Sequence, residues 1–227
     1  MRRQLLYSGT FGLAIAALVL SAAPVAQAQS EQQQLVNEAQ ATLSRFLVDP
    51  EMSWLQKNIG RAKGVLIAPQ IVKAGFVFGG SGGRGVLIAH DPGSKQWRGP
   101  VFYSLATASV GFQAGVAVSE AVTLVMTDKG LNTLLATSVK LGGDASVAAG
   151  PVGAGAASDV TADFVSFARS KGVYGGLNLD GTVITANNDW NTAYYGKSVL
   201  APDIVVRGSV TNPGAAGLIG TVGKVGP

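Results

Sequence analysis

The single histidine, His90, is the residue that any imidazole-based triad or zinc site would have to use. It ends an apolar run and stands directly before Asp91-Pro92-Gly93, a sequence that favours a turn. A histidine at a surface turn explains this position better than a general base does. The chain also contains no cysteine, which excludes a thiol nucleophile and a disulfide framework.

Carboxylate chemistry needs two acidic side chains that flank one scissile bond. No pair of acids in the chain has a spacing that identifies such a site, and each is explained more simply as a solvated acid at a strand end or turn. The sequence indicates no catalytic residue, metal site or cofactor, although a hydrolase acting on envelope lipid stays open as an alternative. The acids considered are Glu120, Asp144, Asp159 and Asp163.

Two glycine-containing segments resemble phosphate-binding loops. Gly80 to Gly85 satisfies G-x-G-x-x-G, but dinucleotide binding requires a helix after the last glycine, and Val86-Leu87-Ile88-Ala89 has the pattern of a strand. We therefore predict a hairpin loop there. Gly196-Lys197-Ser198 matches the end of a P-loop, but Asn191 stands where the leading glycine belongs.

The elements around these residues are predicted to be helices first and strands afterwards. An apolar stripe at helical spacing predicts an amphipathic helix that ends at Asp49-Pro50, and a short helix follows over 51–58. Further helices are expected at 127–136 and 187–195. The predicted strands are 65–68, 72–78, 85–90, 102–110, 112–119, 122–127, 139–141, 145–149, 159–169, 173–179 and 182–186.

Consecutive strands without intervening helices favour antiparallel pairing. The predicted class is therefore α+β, a large curved, mainly antiparallel β-sheet or barrel-like sandwich with N-terminal amphipathic helices and short crossing helices. Asp180-Gly181 between two of the strands predicts a type I′ hairpin.

The N-terminus has the three parts of a secretory signal: Arg2-Arg3, the apolar run Phe11 to Leu20, and Ala26-Gln27-Ala28 before Gln29. The run is shorter than the roughly 20 residues that span a bilayer, so we expect a cleaved signal rather than an anchor. The predicted organisation is a signal peptide at 1–28, one domain at 29–200 and a tail at 201–227, disordered from about residue 212. The mature protein would be periplasmic or secreted.

Charge excludes one class of partner. The formal charge of +4 falls to about +2 when Arg2 and Arg3 leave with the signal, which is too mild for a typical nucleic-acid binder. Local clusters matter more than the total. Basic residues at 57, 61 and 63, and further ones at 73, 169 and 171, are either ordinary surface charge or an anion site for lipid headgroups.

Several glycine-rich blocks, in one order along the chain, together resemble the SYLF domain, a family of lipid-binding modules. The resemblance covers roughly Leu35 to Leu200. It is carried by Ala62 to Pro69, Lys73 to Gly80, Trp97 with Pro100, Ser109 to Gly115, Leu141 to Pro151, Arg169 to Gly176, and Tyr194-Tyr195-Gly196.

The resemblance implies a non-catalytic protein that binds phosphoinositides or, more generally, anionic phospholipid at membrane surfaces, with the N-terminal helix helping to engage the bilayer. Two positions depart from the family pattern, Phe167 in place of tyrosine and Arg98 in place of serine. Actin binding belongs to eukaryotic relatives with additional segments and is not carried over. By matching position, the headgroup candidates are Lys63, Lys73, Arg169 and Lys171, and the membrane-facing helix candidates are Leu35, Leu43, Phe46 and Leu47.

We expect the four basic residues to converge on one surface and the apolar stripe to pack on the sheet in the free protein, because an exposed stripe would favour aggregation. A structural or scaffolding role in the envelope is a further alternative, and the sequence leaves the oligomeric state open.

The signal pattern makes a direct prediction about the mature protein. N-terminal sequencing of exported material should read from near Gln29, because the small-x-small site immediately precedes it. Exported protein that retains Met1 would contradict this.

Overall fold

The computed structural model describes residues 29–75, 78–91, 93–94, 96–110, 115–153, 160–170, 173–174, 179 and 181–224. The helices in these residues are α1 Glu31–Val48, α2 Ser53–Asn58, α3 Asp128–Leu135, α4 Asn188–Tyr195, α5 Ala201–Val205 and α6 Ala216–Gly223. The strands are β1 Gly64–Gly75, β2 Phe78–His90, β3 Trp97–Val110, β4 Gly115–Val125, β5 Ser138–Lys140, β6 Val147–Ala149, β7 Phe164–Ser170, β8 Val173–Tyr174 and β9 Val183–Ala186.

These strands form one sheet in the order β5-β9-β3-β2-β1-β4-β7-β6, with β8 paired to β7. All pairs are antiparallel except β6 with β7. The two end strands, β5 and β6, are neighbours in the chain, and an isolated bridge joins Leu141 and Ala145 between them. The sheet therefore curls into a half-barrel, and the predicted α+β, mainly antiparallel class is confirmed.

The curled sheet has apolar residues on both faces. In one core cluster, Val65, Ile67 and Phe102 on one face of the sheet pack against α1, α2 and α6. The other lies on the opposite face, where Leu66 and Tyr103 pack with residues of α3 and α5. We call the first the helix face and the second the inner face.

A β-bulge interrupts β1 at Pro69, which has no backbone N–H to donate to the sheet. Ala68 pairs with Ala121 but Ile71 pairs with Ser119, so β1 carries one extra residue. Beyond this bulge the alternation of side chains is reversed, which places Val72 on the helix face and the side chains at 71 and 73 on the inner face.

The predicted hairpin loop at Gly80 to Gly85 is wrong, because these residues lie inside β2. The bulge in the opposing strand β1 explains why Gly83 and Gly85 are glycine. A Cβ at Gly83 would lie 2.4 Å from the carbonyl oxygen of Gln70, and one at Gly85 would lie 2.8 Å from that of Ile67. Close approach of the β1 backbone therefore requires glycine at both positions.

Two other expectations are corrected. Strand β8 pairs with β7 whereas β9 pairs with β3 and β5, so these described strands do not form the predicted hairpin. Gly181 does adopt the expected left-handed conformation, with φ of 78°, and Asp180 lies outside the described residues.

The tail expected to be disordered from residue 212 instead forms a 3-10 turn and α6, because Leu218 and Val222 are buried in the helix-face core.

Asp163 holds the start of α3 and is buried rather than solvated as expected, with 7% of its surface exposed. The Thr127 hydroxyl, which also caps α3, donates to Asp163 Oδ1 at 2.6 Å. The backbone N–H and hydroxyl of Ser146 donate to Oδ2 at 3.0 and 2.9 Å. These hydrogen bonds, that from Thr127 foremost, lower the pKa of Asp163 from its ordinary 3.8 to about 2 against the opposing effect of burial.

Asp163→Asn should lower the free energy of unfolding near neutral pH by about 2 kcal/mol, because a charged acceptor is lost. Since the folded pKa lies below the unfolded one, the stabilisation is fully present above pH 3.8 and is lost as pH falls toward 2. Denaturant unfolding across this range should show the variant and parent converging in acid. Asp189→Asn, at an exposed acid in the first turn of α4, is the control, and an equal loss there would contradict the assignment.

Candidate functional site

The apolar stripe of α1 lies against the sheet. Leu43 and Phe46 are fully buried, Leu35 is 9% exposed and Leu47 is half-buried. Helix α6 packs on the same helix, and Gln33 of α1 donates to the carbonyl oxygen of Gly214 at 2.9 Å. A membrane-facing role for the stripe would therefore require α1 to leave the sheet.

The expected convergence of the basic residues is wrong. Lys63 precedes β1 and pairs with Asp128 at 3.1 Å, whereas Lys73 lies ten residues further along, near the other end of β1. Arg169 lies on the helix face, while the bulge at Pro69 places Lys73 on the inner face. The fourth candidate, Lys171, is outside the described residues.

Arg169 instead belongs to a cluster that the sequence reasoning missed, formed by Arg45, Glu120 and Arg169. Arg45 of α1 bonds Glu120 Oε2, and Arg169 Nε donates to Glu120 Oε1 at 2.7 Å. Thr42, also on α1, donates its hydroxyl to Glu120 Oε2 at 3.3 Å. The guanidinium of Arg169 also lies 5.7 Å from the centre of the Phe46 ring.

The three side chains of the cluster carry two positive charges and one negative charge. Burial raises the pKa of Glu120, but the hydrogen bonds and charges of the two arginines outweigh it, and the net pKa is lowered. Glu120 thus stays ionised, with 12% of its side chain exposed, whereas Arg45 is 48% exposed. We call Arg45, Glu120 and Arg169 the arginine cluster.

The remaining chemistry-bearing residues have structural roles. His90 ends β2, with its ring centre 3.8 Å from that of Trp97. Arg98, a departure from the family pattern, pairs with Asp91 at 2.9 Å and donates to the carbonyl oxygen of Val206 at 3.0 Å. Phe167, the other departure, is buried in the core.

Among the residues that the structure describes, the acids considered above do not form a catalytic pair. Asp144 is exposed and accepts the Lys140 backbone N–H at 2.7 Å, and Asp159 lies outside the described residues. Glu120 and Asp163 are committed to the contacts given above. Among the described residues, no group of three or more His, Cys, Asp or Glu side chains is placed to hold a metal ion. No described helix is long and apolar enough to cross a membrane.

Beyond α1, the described residues leave one face of β1, β2, β3 and β4 exposed. The register forms two rows across them on the helix face, and we call these eight residues the tip face. Val72 and Val118 are each 40% exposed and Val116 is 66% exposed. The rows are Ala106, Gly82, Val72 and Val118, and then Ala108, Gly80, Ala74 and Val116.

The borders of the tip face differ in charge. Along β4, Val116, Val118 and Glu120 are successive side chains on one face, so the arginine cluster adjoins the valines. Under the N-terminal half of α1 there is instead a groove of about 560 Å³, lined by Glu31, Glu38 and Arg84 among others. Arg84 lies over the Trp190 ring at 4.4 Å there. An anion would therefore meet positive charge in excess beside β4 rather than in the groove.

A protein-family model, Ysc84, described as "Las17-binding protein actin regulator", matches residues 106–225, which is more than half of the chain. The chain belongs to this family. It is the family of the SYLF domain, so the resemblance drawn from the glycine-rich blocks is confirmed. The description concerns binding and regulation rather than a reaction.

Curated SYLF relatives share about 30% of their aligned residues with the chain. "SH3 domain-containing YSC84-like protein 1" of Bos taurus is 30% identical over 163 residues, which are 70% of this chain and 47% of the relative. The protein of the same name from Homo sapiens is 30% identical over 65% of this chain and 44% of its own length. "LAS seventeen-binding protein 3" of Saccharomyces cerevisiae is 30% identical over 68% of this chain and 35% of its own. The chain thus spans half or less of these relatives.

Phe46→Ala should reduce the free energy of unfolding by about 3 to 5 kcal/mol, with or without lipid, because Phe46 is fully buried beneath α1. Thermal unfolding in the presence and absence of vesicles measures this. Val48→Ala, at a residue of the same helix that is 80% exposed, should leave the melting temperature nearly unchanged. An unchanged melting temperature with weaker vesicle binding would instead make the stripe a membrane contact.

Proposed function

We propose that this SYLF protein is an exported, non-catalytic protein that binds anionic phospholipid headgroups, phosphoinositide-like ones among them, at the surface of a membrane. The observation that carries the proposal is the arginine cluster, in which two guanidinium groups share one carboxylate at the edge of α1. Family membership supports a binding function, and the signal-like N-terminus supports a periplasmic or secreted location.

A phosphate group suits this cluster chemically. Guanidinium groups bind phosphate through paired N–H donors, and Arg45 has half of its side chain available to solvent. Glu120 holds both arginines on one side of the sheet, and Arg45, the more exposed of the two, is the positioned donor that a headgroup would meet. Attraction between exposed charges weakens as salt screens it, so binding should fall as ionic strength rises.

Two substitutions with opposite expected effects on vesicle binding, measured by co-sedimentation, test the headgroup site. Arg45→Gln removes one cation while Arg169 still pairs with Glu120, and it should weaken binding to vesicles containing phosphatidylglycerol about fivefold, since one basic group contributes about 1 kcal/mol. Glu120→Gln keeps both arginines and removes the competing anion, so it should strengthen binding.

Lys63→Gln is the matched control, because Lys63 is a similarly exposed cation that pairs with Asp128 at the far end of β1. It should leave vesicle binding unchanged. Equal binding to phosphatidylcholine and phosphatidylglycerol vesicles, or the same loss from Lys63→Gln as from Arg45→Gln, would overturn the proposal.

A further inference from the structure

We propose that the tip face is the surface that lies against an anionic phospholipid bilayer, with its valines among the lipid chains and the arginine cluster at the headgroups. This inference rests on the proposed function and names the part of the fold that contacts lipid.

The composition of the tip face is the first argument. Both rows contain only valine, alanine and glycine, and seven of the eight residues are exposed, with Gly80 half-buried. On the opposite side of the same strands Ile71, Leu105 and Ser119 are buried, and Lys73 is exposed nearer the tip. An apolar surface confined to one side of a sheet, and four strands wide, is typical of a contact site rather than of scattered surface residues.

The charge of the surrounding chain is the second argument. Residues 70–83 and 104–119, which supply the strands of the tip face, contain Lys73 as their one charged residue and are flanked by Arg84 and Glu120. The other acids beside the tip face are Glu31 and Glu38 of α1, which line the groove together with Val72 and Gly82. The arginine cluster adds a further positive charge where β4 leaves the tip face. Membrane-surface binding combines apolar burial with attraction to anionic lipid, and the tip face offers both.

The absence of directional groups favours lipid over a protein partner. Protein interfaces draw most of their affinity from tryptophan, tyrosine and arginine anchors with hydrogen-bonding partners. The eight tip-face residues provide no side-chain donor, acceptor or aromatic ring. Hydrocarbon requires none of these, and small aliphatic side chains enter it without leaving an unpaired polar group.

Site-specific labelling tests the inference, because the chain has no cysteine of its own. We use the chain from Gln29 onward, which contains every residue that the structure describes and both core clusters. A nitrobenzoxadiazole label on Val116→Cys should shift to the blue and brighten when phosphatidylglycerol vesicles are added. The same label on Val206→Cys, at a valine that is 44% exposed and lies beside Arg98 at the other end of β3, should not respond.

The double variant Val116→Asn with Val118→Asn should bind these vesicles about tenfold more weakly, since two partly exposed apolar side chains no longer enter the lipid. Leu200→Asn with Val206→Asn, at apolar residues that flank α5 and are 52% and 44% exposed, should bind like the parent. Unchanged melting temperatures establish that both variants are folded.

The outcomes separate this inference from the proposed function. Parent protein that binds vesicles while the label at 116 stays silent and the asparagine variant binds equally well would overturn the tip face but leave headgroup binding intact. Parent protein that binds no vesicle would overturn both. A label at 116 that responds to protein concentration without vesicles, together with a dimer in light scattering, would assign the tip face to a second copy of the chain and overturn the bilayer contact.

Discussion

The constraint on which the arrangement depends is that α1 crosses the strands rather than running along them. Its N-terminal half lies near α4, where the Tyr194 hydroxyl is 3.3 Å from Gln33, and its C-terminal half reaches β4 and β7 through Arg45. A helix about 10 Å wide cannot cover strands that are about 40 Å long. Helices α2 and α6 complete the cover toward one end of the sheet, and the other end keeps an uncovered apolar face.

The arginine cluster couples the position of α1 to the charge of this surface. Glu120 is mostly buried, and the two guanidinium groups keep it ionised there, because an unpaired buried carboxylate is strongly disfavoured. The same contact therefore anchors α1 to β4 and β7 and leaves one positive charge in excess beside the valines of β4. Stability and the proposed recognition of phosphate depend on the same three side chains.

Local patterns were sufficient to predict α1 to α4 and the class of the fold, but not α5 or α6. The apolar spacing predicted α1, Thr127 and Asn187 marked the starts of α3 and α4, and successive β-rich segments predicted an antiparallel sheet. Elements that depend on long-range contacts could not be predicted from these local patterns. The tail after residue 212 has no amphipathic period, yet α6 is ordered because α1 and the sheet bury Leu218 and Val222.

The sequence did not predict on which face of the sheet each basic residue lies or which acid it contacts. Lys63, directly before β1, and Lys73 within it are an even number of residues apart, so a regular strand would point both to one face. The extra residue at the Pro69 bulge reverses the alternation between them. Arg45 and Glu120 are 75 residues apart, and neither residue's neighbours in sequence indicate the other.

The sequence by itself determined the family, the α+β class, the helix caps and the acid-free composition of the strands beyond the bulge, because these depend on residue type and local spacing. Only the tertiary structure decided which side of each strand is covered, which charges meet and which valines stay exposed. The reason is that these properties depend on strand register and on the path of α1 across the sheet, which are set by packing between residues distant in the chain.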